Sequence, residues 1–307
     1  MKRIRIDLQD ILTFLGDKVN KVEGPSQNVF IDNLADVERI NESSLDWINP
    51  TKPNKQLIAE LSKAKVLLVD DIIEYSQVIS EQCKTLIRVS NPKLALAEIG
   101  NHFFVTHPKE GIHPTAIIAP EAKIGKDVTI GAYCVIGKAV IGDRSVLESS
   151  VRVYDDTVIG CDCNVDSGCV LGGPGFGFEK DIEGNLIRFP QIGQLIIGHH
   201  VEIGANTSID RGALSDTVIG DYTKISNLCH IAHNNKIGKN VVITCGCNIS
   251  GSNAIEDKVW IAPNSSIRGW VHIGESAFIG MGAVVVKDIP AYETWVGNPA
   301  RKLEKKG

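Results

Sequence analysis

Isoleucine recurs every six residues along the last third of the chain, at positions 219, 225, 231, 237, 243, 249, 255, 261, 267, 273 and 279. A period of six fits neither the 3.6 of a helix nor one long strand. It predicts a chain that turns a corner every six residues and points one branched side chain inward per side. Three such sides close one coil, so Ile219, Ile237, Ile255 and Ile273 are expected to stack in a parallel β-helix. The lattice begins earlier, at Ile124-Gly125, Ile130-Gly131 and Ile136-Gly137, and resumes at Ile197-Gly198 and Ile203-Gly204. Glycine after the inward residue is expected to supply corner backbone angles that a Cβ would resist. Two breaks stand out: a step of ten between Ile209 and Ile219, and a long interruption from Leu171 to Leu195. The interruption carries glycine, proline, charge and the aromatics Phe176 and Phe178. It is expected to be a surface loop thrown out of the coil, where function often resides.

Residues 1–106 lack the six-residue period and predict a small α/β domain. Helices are expected over Leu8 to Leu15, over 54–64 and from Pro92 to Phe104; strands over Val66 to Val69 and Thr85 to Val89. The run 107–114, HPKEGIHP, reads as a linker. The β-helix is placed at 107–290 and a C-terminal tail at 291–307, where Trp295 is suited to cover the end of the coil.

Bulk properties narrow the function. A net charge of −5 over 307 residues gives no broad basic field, which argues against nucleic acid as partner. No stretch approaches the ~20 apolar residues of a membrane span, and acidic residues interrupt the apolar run near the N-terminus, unlike a signal peptide. Seven of the eight cysteines fall in the repeat, as small interior or corner residues rather than a disulfide framework. Cys161/Cys163 and Cys245/Cys247 form C-x-C pairs, but without zinc-ribbon spacing. That usage suits a reducing compartment, so a cytoplasmic location is expected.

Outside the inward lattice the densest polar run is 226–235, SNLCHIAHNN, with His230 and His233. Gly251 lies three six-steps beyond His233, one full coil on. A histidine beneath a main-chain N–H can deprotonate a nucleophile while the N–H meets a developing oxyanion, a geometry suited to acyl transfer. Spacing alone leaves open whether these are instead surface residues on a corner. Asp210 and Arg211 read as a local ion pair on another corner. A zinc site built from His199, His200, His230 and His233, as in β-helical hydratases, is a competing reading. The side chains of His230 and His233 should diverge on an extended chain, however, so no metal and no cofactor are expected. A non-catalytic scaffold or ice-binding surface would show a flat, regular face of threonines at steps of six, and no such face appears.

The segments GPGFGF (173–178), FPQIG (189–193), VEIGANTSIDRGAL (201–214) and CHIAHN (229–234) resemble the hexapeptide acyltransferases, and within them the UDP-3-O-acylglucosamine N-acyltransferase family of lipid A synthesis. INPTK (48–52) and NPKLALAEI (91–99) resemble that family's uridine-binding domain. The resemblance implies a left-handed β-helix preceded by an α/β nucleotide-binding domain, assembled as a homotrimer. It assigns His233 as general base and Gly251 as oxyanion donor. It places Asn227 and His230 near substrate, Phe176 and Phe178 as a substrate clamp or loop anchor, and Trp47 and Asn49 at the uracil. Trp270 and Met281 match positions along the acyl groove. Departures accompany these matches. Trp270 stands where the family has a second histidine, Ala283 replaces a second methionine, and Lys52 or Pro53 replaces an aromatic. The ending WVGNPARKL resembles acetyl-coenzyme A-dependent sugar acetyltransferases. The expected activity is therefore transfer of an acyl group from a thioester to the amine of a nucleotide-linked amino sugar, for lipopolysaccharide or surface-glycan synthesis. The donor is acetyl- or short-acyl-coenzyme A, or acyl carrier protein. The alternatives are the lipid A N-acyltransferase proper and, from another class, a zinc hydratase.

Overall fold

The computed structural model describes residues 5–35, 38–106 and 111–304. The chain divides into two compact units, residues 1–107 and 108–307.

The first unit is built on a five-stranded sheet. Its order is Val19–Glu23, Thr85–Val89, Val66–Val69, Ser44–Trp47, Asn33–Leu34; only the first pairing is antiparallel. The apolar run Val66–Val69 is buried along its whole length, as expected of a central parallel strand covered on both faces. The helices Leu8–Leu15 and Pro92–Ile99 share one core with Leu68 and Ile87. On the other face Ala59, from the helix Lys55–Leu61, and Ile79, from Gln77–Glu81, pack with Leu67 and Leu86. Asn91 caps the Pro92 helix by accepting from Leu94 N at 3.1 Å. The strands Val19–Glu23 and Ser44–Trp47 escape the sequence pattern because neither alternates cleanly between buried and exposed positions.

The second unit is a parallel coil of short strands on three faces. Its third face stacks Ile219 on Ile237, Ile237 on Ile255 and Ile255 on Ile273, the register that three six-steps demand. Each side points two residues inward rather than one: the isoleucine of the six-step, and a smaller residue two positions before it. Cys229 precedes Ile231, Val241 precedes Ile243 and Cys247 precedes Ile249, all buried. The narrow interior thus alternates a branched and a small side chain.

The corner glycines have a different cause from the one expected. Residues with positive φ stand three places after the isoleucine and are mostly not glycine: Asp127, Tyr133, Asn234, Asn240, Ser252 and Asn264 among them. Gly125, Gly137, Gly204 and Gly238 serve close approach. A Cβ on any of them would fall 2.2 to 2.4 Å from the side-chain oxygen of Asp143, Asp155, Asn227 or Asp257 respectively, one coil above. Those oxygens accept from backbone N–H groups of the coil below: Lys126 N, Lys138 N, Ala205 N and Lys239 N, at 2.8 to 2.9 Å. The glycine opens the space for a cap that ties one corner to the next.

The stack begins within the expected linker, where Gly111–Ile112 pairs with Thr129–Ile130; the linker's residues 107–110 lie outside the described residues. The tail set apart at 291 runs on within the coil instead. Thr294–Val296 continues the first face beside Phe278–Ile279, Trp295 joins the core, and Arg301–Lys302 folds back antiparallel. Among the described residues, no helix is long and apolar enough to cross a membrane. The eight cysteines are free thiols, and in each C-x-C pair one member is buried while the other is more exposed. Neither pair therefore presents both thiols to one point.

Candidate active site

Both interruptions of the repeat fall on one edge of the coil, between the second and third faces. The long excursion leaves after Val170–Gly173 and returns at Leu195–Ile197; the step of ten separates Ser208–Asp210 from Thr217–Ile219. The next corner on that edge, after the strand His230–Ile231, carries His233. The following two carry Gly251 and Gly269.

His233 and Gly251 are in contact. A Cβ on Gly251 would lie 2.8 Å from His233 Cε1 and 3.0 Å from Nε2, so only glycine lets the main chain rest on the ring. Ser252 N donates to His233 O at 3.0 Å, and Trp270 N donates to Gly251 O at 3.2 Å, which locks the three corners in register. Among the described residues the Gly251 N–H has no acceptor.

The excursion carries an antiparallel hairpin of Phe178–Lys180 and Leu186–Arg188, and its first root lies against the imidazole at Gly175. A Cβ on Gly175 would lie 2.9 Å from both His233 Cβ and Cδ2, and 2.7 Å from Gln191 Oε1. GPGFGF thus rests on the histidine, and FPQIG meets GPGFGF at Gly175. Both Gln191 Oε1 and His233 Nδ1 are buried without a hydrogen-bond partner. Such atoms are scarce in native structures, and each calls for an explanation such as a ligand that completes the set.

The strand that leads into the enlarged corner supplies a carboxylate. Asp210 is buried, and its Oδ2 lies 3.8 Å from His230 Nε2. Burial pushes its carboxyl up to about 6, against the opposing pull of a charged His233. Burial also lowers the His230 imidazole below its ordinary range. Spacing gives Asp210 no mark beyond the expected pairing with Arg211, and that pairing does not form. Arg211 turns to Asp156, at 3.1 Å, and donates to Gly193 O at 2.7 Å, bracing the root of the excursion. Asn234 ties the histidine corner to the enlarged one by accepting from Ala213 N at 2.6 Å.

The other expected residues divide between places. Trp270 stands on the same edge, one coil past Gly251, and is 84% exposed. Asn227 and Met281 lie instead on the edge between the first and second faces, three coils apart from each other. The Asn227 side chain is occupied as a corner cap, accepting from Ala205 N at 2.9 Å. Its Oδ1 therefore holds the turn. Asn227 also lines a groove of about 290 Å³ with Asp166, Glu202, Lys224 and Thr244. Phe176 is exposed and meets Phe178 edge-on at 5.0 Å between ring centroids, while the Arg188 guanidinium lies over Phe178. In the first unit Trp47 packs on the core at the end of its strand, with the Lys93 ammonium 6.0 Å from its ring centroid. Asn49 Oδ1 accepts from Thr51 N and Thr51 Oγ1, at 3.0 and 2.9 Å, and so fixes the INPT turn.

The four histidines nominated for zinc go separate ways. His199 Nδ1 accepts from Cys161 N, His200 stacks on Tyr222, His230 faces Asp210 and His233 lies under Gly251. Among the described residues no three His, Cys, Asp or Glu side chains gather as a metal site would require.

A half-buried histidine against a free main-chain amide, on a hexapeptide coil, is an arrangement compatible with acyl transfer. The bacterial transferase hexapeptide (six repeats) family matches residues 254–287. A UDP-3-O-acylglucosamine N-acyltransferase of Coxiella burnetii is 34% identical over 276 residues, covering 83% of this chain and 78% of that protein. One of Methylorubrum extorquens is 45% identical over 139 residues, 45% of this chain and 39% of that protein. Among solved structures, a UDP-N-acetylglucosamine O-acyltransferase of Moraxella catarrhalis superposes with TM-score 0.56 at 30% identity, over 62% of this chain and 73% of that one. A UDP-N-acetylglucosamine acyltransferase of Campylobacter jejuni gives 0.57 at 28%, over 63% and 74%. The chain is thus a hexapeptide-repeat acyltransferase with a left-handed parallel β-helix. It belongs to the UDP-3-O-acylglucosamine N-acyltransferase family. The zinc hydratase reading is set aside: the relatives are acyltransferases and the histidines do not converge.

Proposed function

We propose that this protein transfers an acyl group from a thioester to the amine of a UDP-linked, 3-O-acylated glucosamine, a step of lipid A synthesis. One observation carries the reading: the His233 ring lies under the Gly251 main chain, whose N–H has no acceptor among the described residues, at the one edge where the repeat is broken. The free imidazole takes a proton from the attacking amine. The thioester carbonyl carbon gains the C–N bond, and its oxygen becomes an oxyanion facing the Gly251 N–H. Collapse expels the thiolate, which leaves with a proton returned by the imidazolium. Gln191 Oε1, buried and unpartnered beside Gly175, which itself lies on the ring, is available to accept from the amine.

The names of the relatives support a 3-O-acylated sugar over the wider class of nucleotide amino sugars, and so reverse the preference that the NPARK ending suggests. Trp47 and Asn49 are the candidates for the uracil, with the ring for stacking and the amide for the base edge. The homotrimer is part of the same proposal, with Phe176, Asn227, His230, Trp270 and Met281 facing the clefts between coils. Two different edges then meet in each cleft, which would reunite Asn227 and Met281 of one subunit with His233 of the next. No metal or other cofactor is required, and a cytoplasmic setting supplies both thioester donors.

The test is a side-by-side assay of pure enzyme. UDP-3-O-(3-hydroxyacyl)glucosamine and UDP- or dTDP-amino sugars lacking the 3-O-acyl group would each be offered with acetyl-coenzyme A and with hydroxyacyl carrier protein. Turnover of the acylated sugar at least tenfold above the others is expected. A preference for an unacylated amino sugar with acetyl-coenzyme A would overturn the assignment.

A further inference from the structure

Most of the small inward positions of the coil hold Val, Cys, Ala, Ser or Thr. At 235 and 253, on two successive rungs, the interior carries asparagine instead, and both side chains are buried. Their orientation is fixed by the network. Asn235 Oδ1 accepts from Asn253 N at 3.1 Å, and Asn253 Oδ1 accepts from Val271 N at 2.8 Å, so each NH2 must face the carbonyls. Asn235 Nδ2 donates to Ala232 O at 2.6 Å and to Ser250 O at 3.0 Å; Asn253 Nδ2 donates to the same Ser250 O at 2.6 Å.

Ser250 O and the Gly251 N–H belong to one peptide group. Ala232 O belongs to the peptide that enters His233. We propose that Asn235 and Asn253 are positioning residues for acyl transfer: from inside the coil they clamp the Ser250–Gly251 peptide by its carbonyl, aiming and polarising its N–H as the oxyanion donor. The inference rests on the proposed roles of His233 and Gly251. A carbonyl held by two donors shifts electron density away from its N–H, and hydrogen bonds in series strengthen one another by roughly 10–30% each. The clamp also resists rotation of a peptide that a glycine would otherwise leave loose, and a preorganised donor is what stabilises developing charge. Serine at an equivalent inward position makes the same pair of contacts elsewhere. Ser265 Oγ lies within hydrogen-bond reach of Ala262 O and Gly280 O, at 2.7 and 3.0 Å, which share its one O–H.

The experiment compares the double variants Asn235→Val/Asn253→Val and Asn235→Ser/Asn253→Ser with wild type and with His233→Ala. Valine already fills the equivalent place at 241, 259 and 271, so it fits the interior. The valine pair is expected to lower kcat about tenfold with each KM within about twofold, since one oxyanion donor in full is worth ~10²–10³. The serine pair, which restores a donor, should recover most of that loss. Should the valine pair not fold, the single variant Asn253→Val carries the same criterion, with about threefold expected. Wild-type kcat in the folded valine variant, or a kcat loss that serine does not recover, overturns the clamp. If His233→Ala is inactive while the valine pair is not impaired, the clamp alone fails. If His233→Ala keeps its turnover, the reading of the site fails with it.

Discussion

Two edges of the same coil behave differently. Along the edge between the third and first faces, Gly142 lies under Gly160 and Gly220 under Gly238, backbone on backbone, while Gly125, Gly198 and Gly238 lie under the capping carboxylates of Asp143, Asp221 and Asp257. Along the edge between the second and third faces, the corners at 173–195 and 211–216 are enlarged, and the next two bring a histidine and a glycine together. The atoms that each glycine meets explain the contrast. At Gly220 a missing Cβ admits another main chain, which serves the stack. At Gly251 it admits the imidazole of His233, the ring proposed above as general base. A solenoid keeps its register on its faces and is free to vary at its corners, so the broken period marks the site.

The largest effect is expected from removing the ring. His233→Ala should lower kcat about a thousandfold, within the range of general-base catalysis, with the melting temperature within a few degrees of wild type. Steady-state kinetics beside calorimetry checks both halves. The same glycine-to-alanine change, made once on each edge, comes next. Gly251→Ala would set a Cβ 2.8 Å from the ring; kcat is expected to fall about a hundredfold as ring and amide are pushed apart. Gly220→Ala would set a Cβ 2.5 Å from the carbonyl carbon of Gly238. It should cost about 2 kcal/mol of stability and leave the kcat of the folded fraction unchanged. Equal effects of the two substitutions on kcat would erase the distinction drawn between the edges.

The smallest effect concerns pH. Asp210 titrates at about 6 in the folded protein, above the ordinary value of about 3.9 for an unfolded aspartate. Above pH 6 both states are ionised and the folded state carries the cost of a buried charge. As pH falls from about 6 towards 4 the folded carboxyl takes up a proton first, so the folded state gains relative to the unfolded one. Asp210→Asn removes this dependence. It should be more stable than wild type at pH 7.5 by about 1–2 kcal/mol, an advantage that shrinks as the pH falls to 5. Thermal melts of both proteins across that range read the difference, and a constant gap would show that the buried charge is not its source.

The coil is legible in the sequence because an inward isoleucine every sixth residue cannot be satisfied by a helix or a flat sheet. The stacking of Gly251 on His233 follows from the same arithmetic. What stays hidden depends on side-chain direction rather than spacing. Asp210 ends the strand Ser208–Asp210, which pairs with His230–Ile231; spacing brings the two strands together but does not set the direction of the carboxylate, so its approach to His230 has no signal beyond its place in IDRGAL. Gln191 lies at the far end of an excursion whose fold back onto the histidine rests on Gly175, one glycine among several in GPGFGF. Asn227, expected beside the substrate, spends its oxygen on capping a corner, as an aspartate does at 143, 155 and 257. The strands of the first unit that the pattern misses have half-buried, polar positions that mask their period.

Each coil is bonded only to the one before and the one after it. Beyond the rung of His233 lie those of Gly251 and Gly269, and then the last coil, closed by Trp295. A stack with nearest-neighbour coupling frays from its ends. Loosening of the last turn therefore exposes Trp295 well before it reaches the amide over the imidazole. The proposed site thus lies inward of the turn that heat disturbs first.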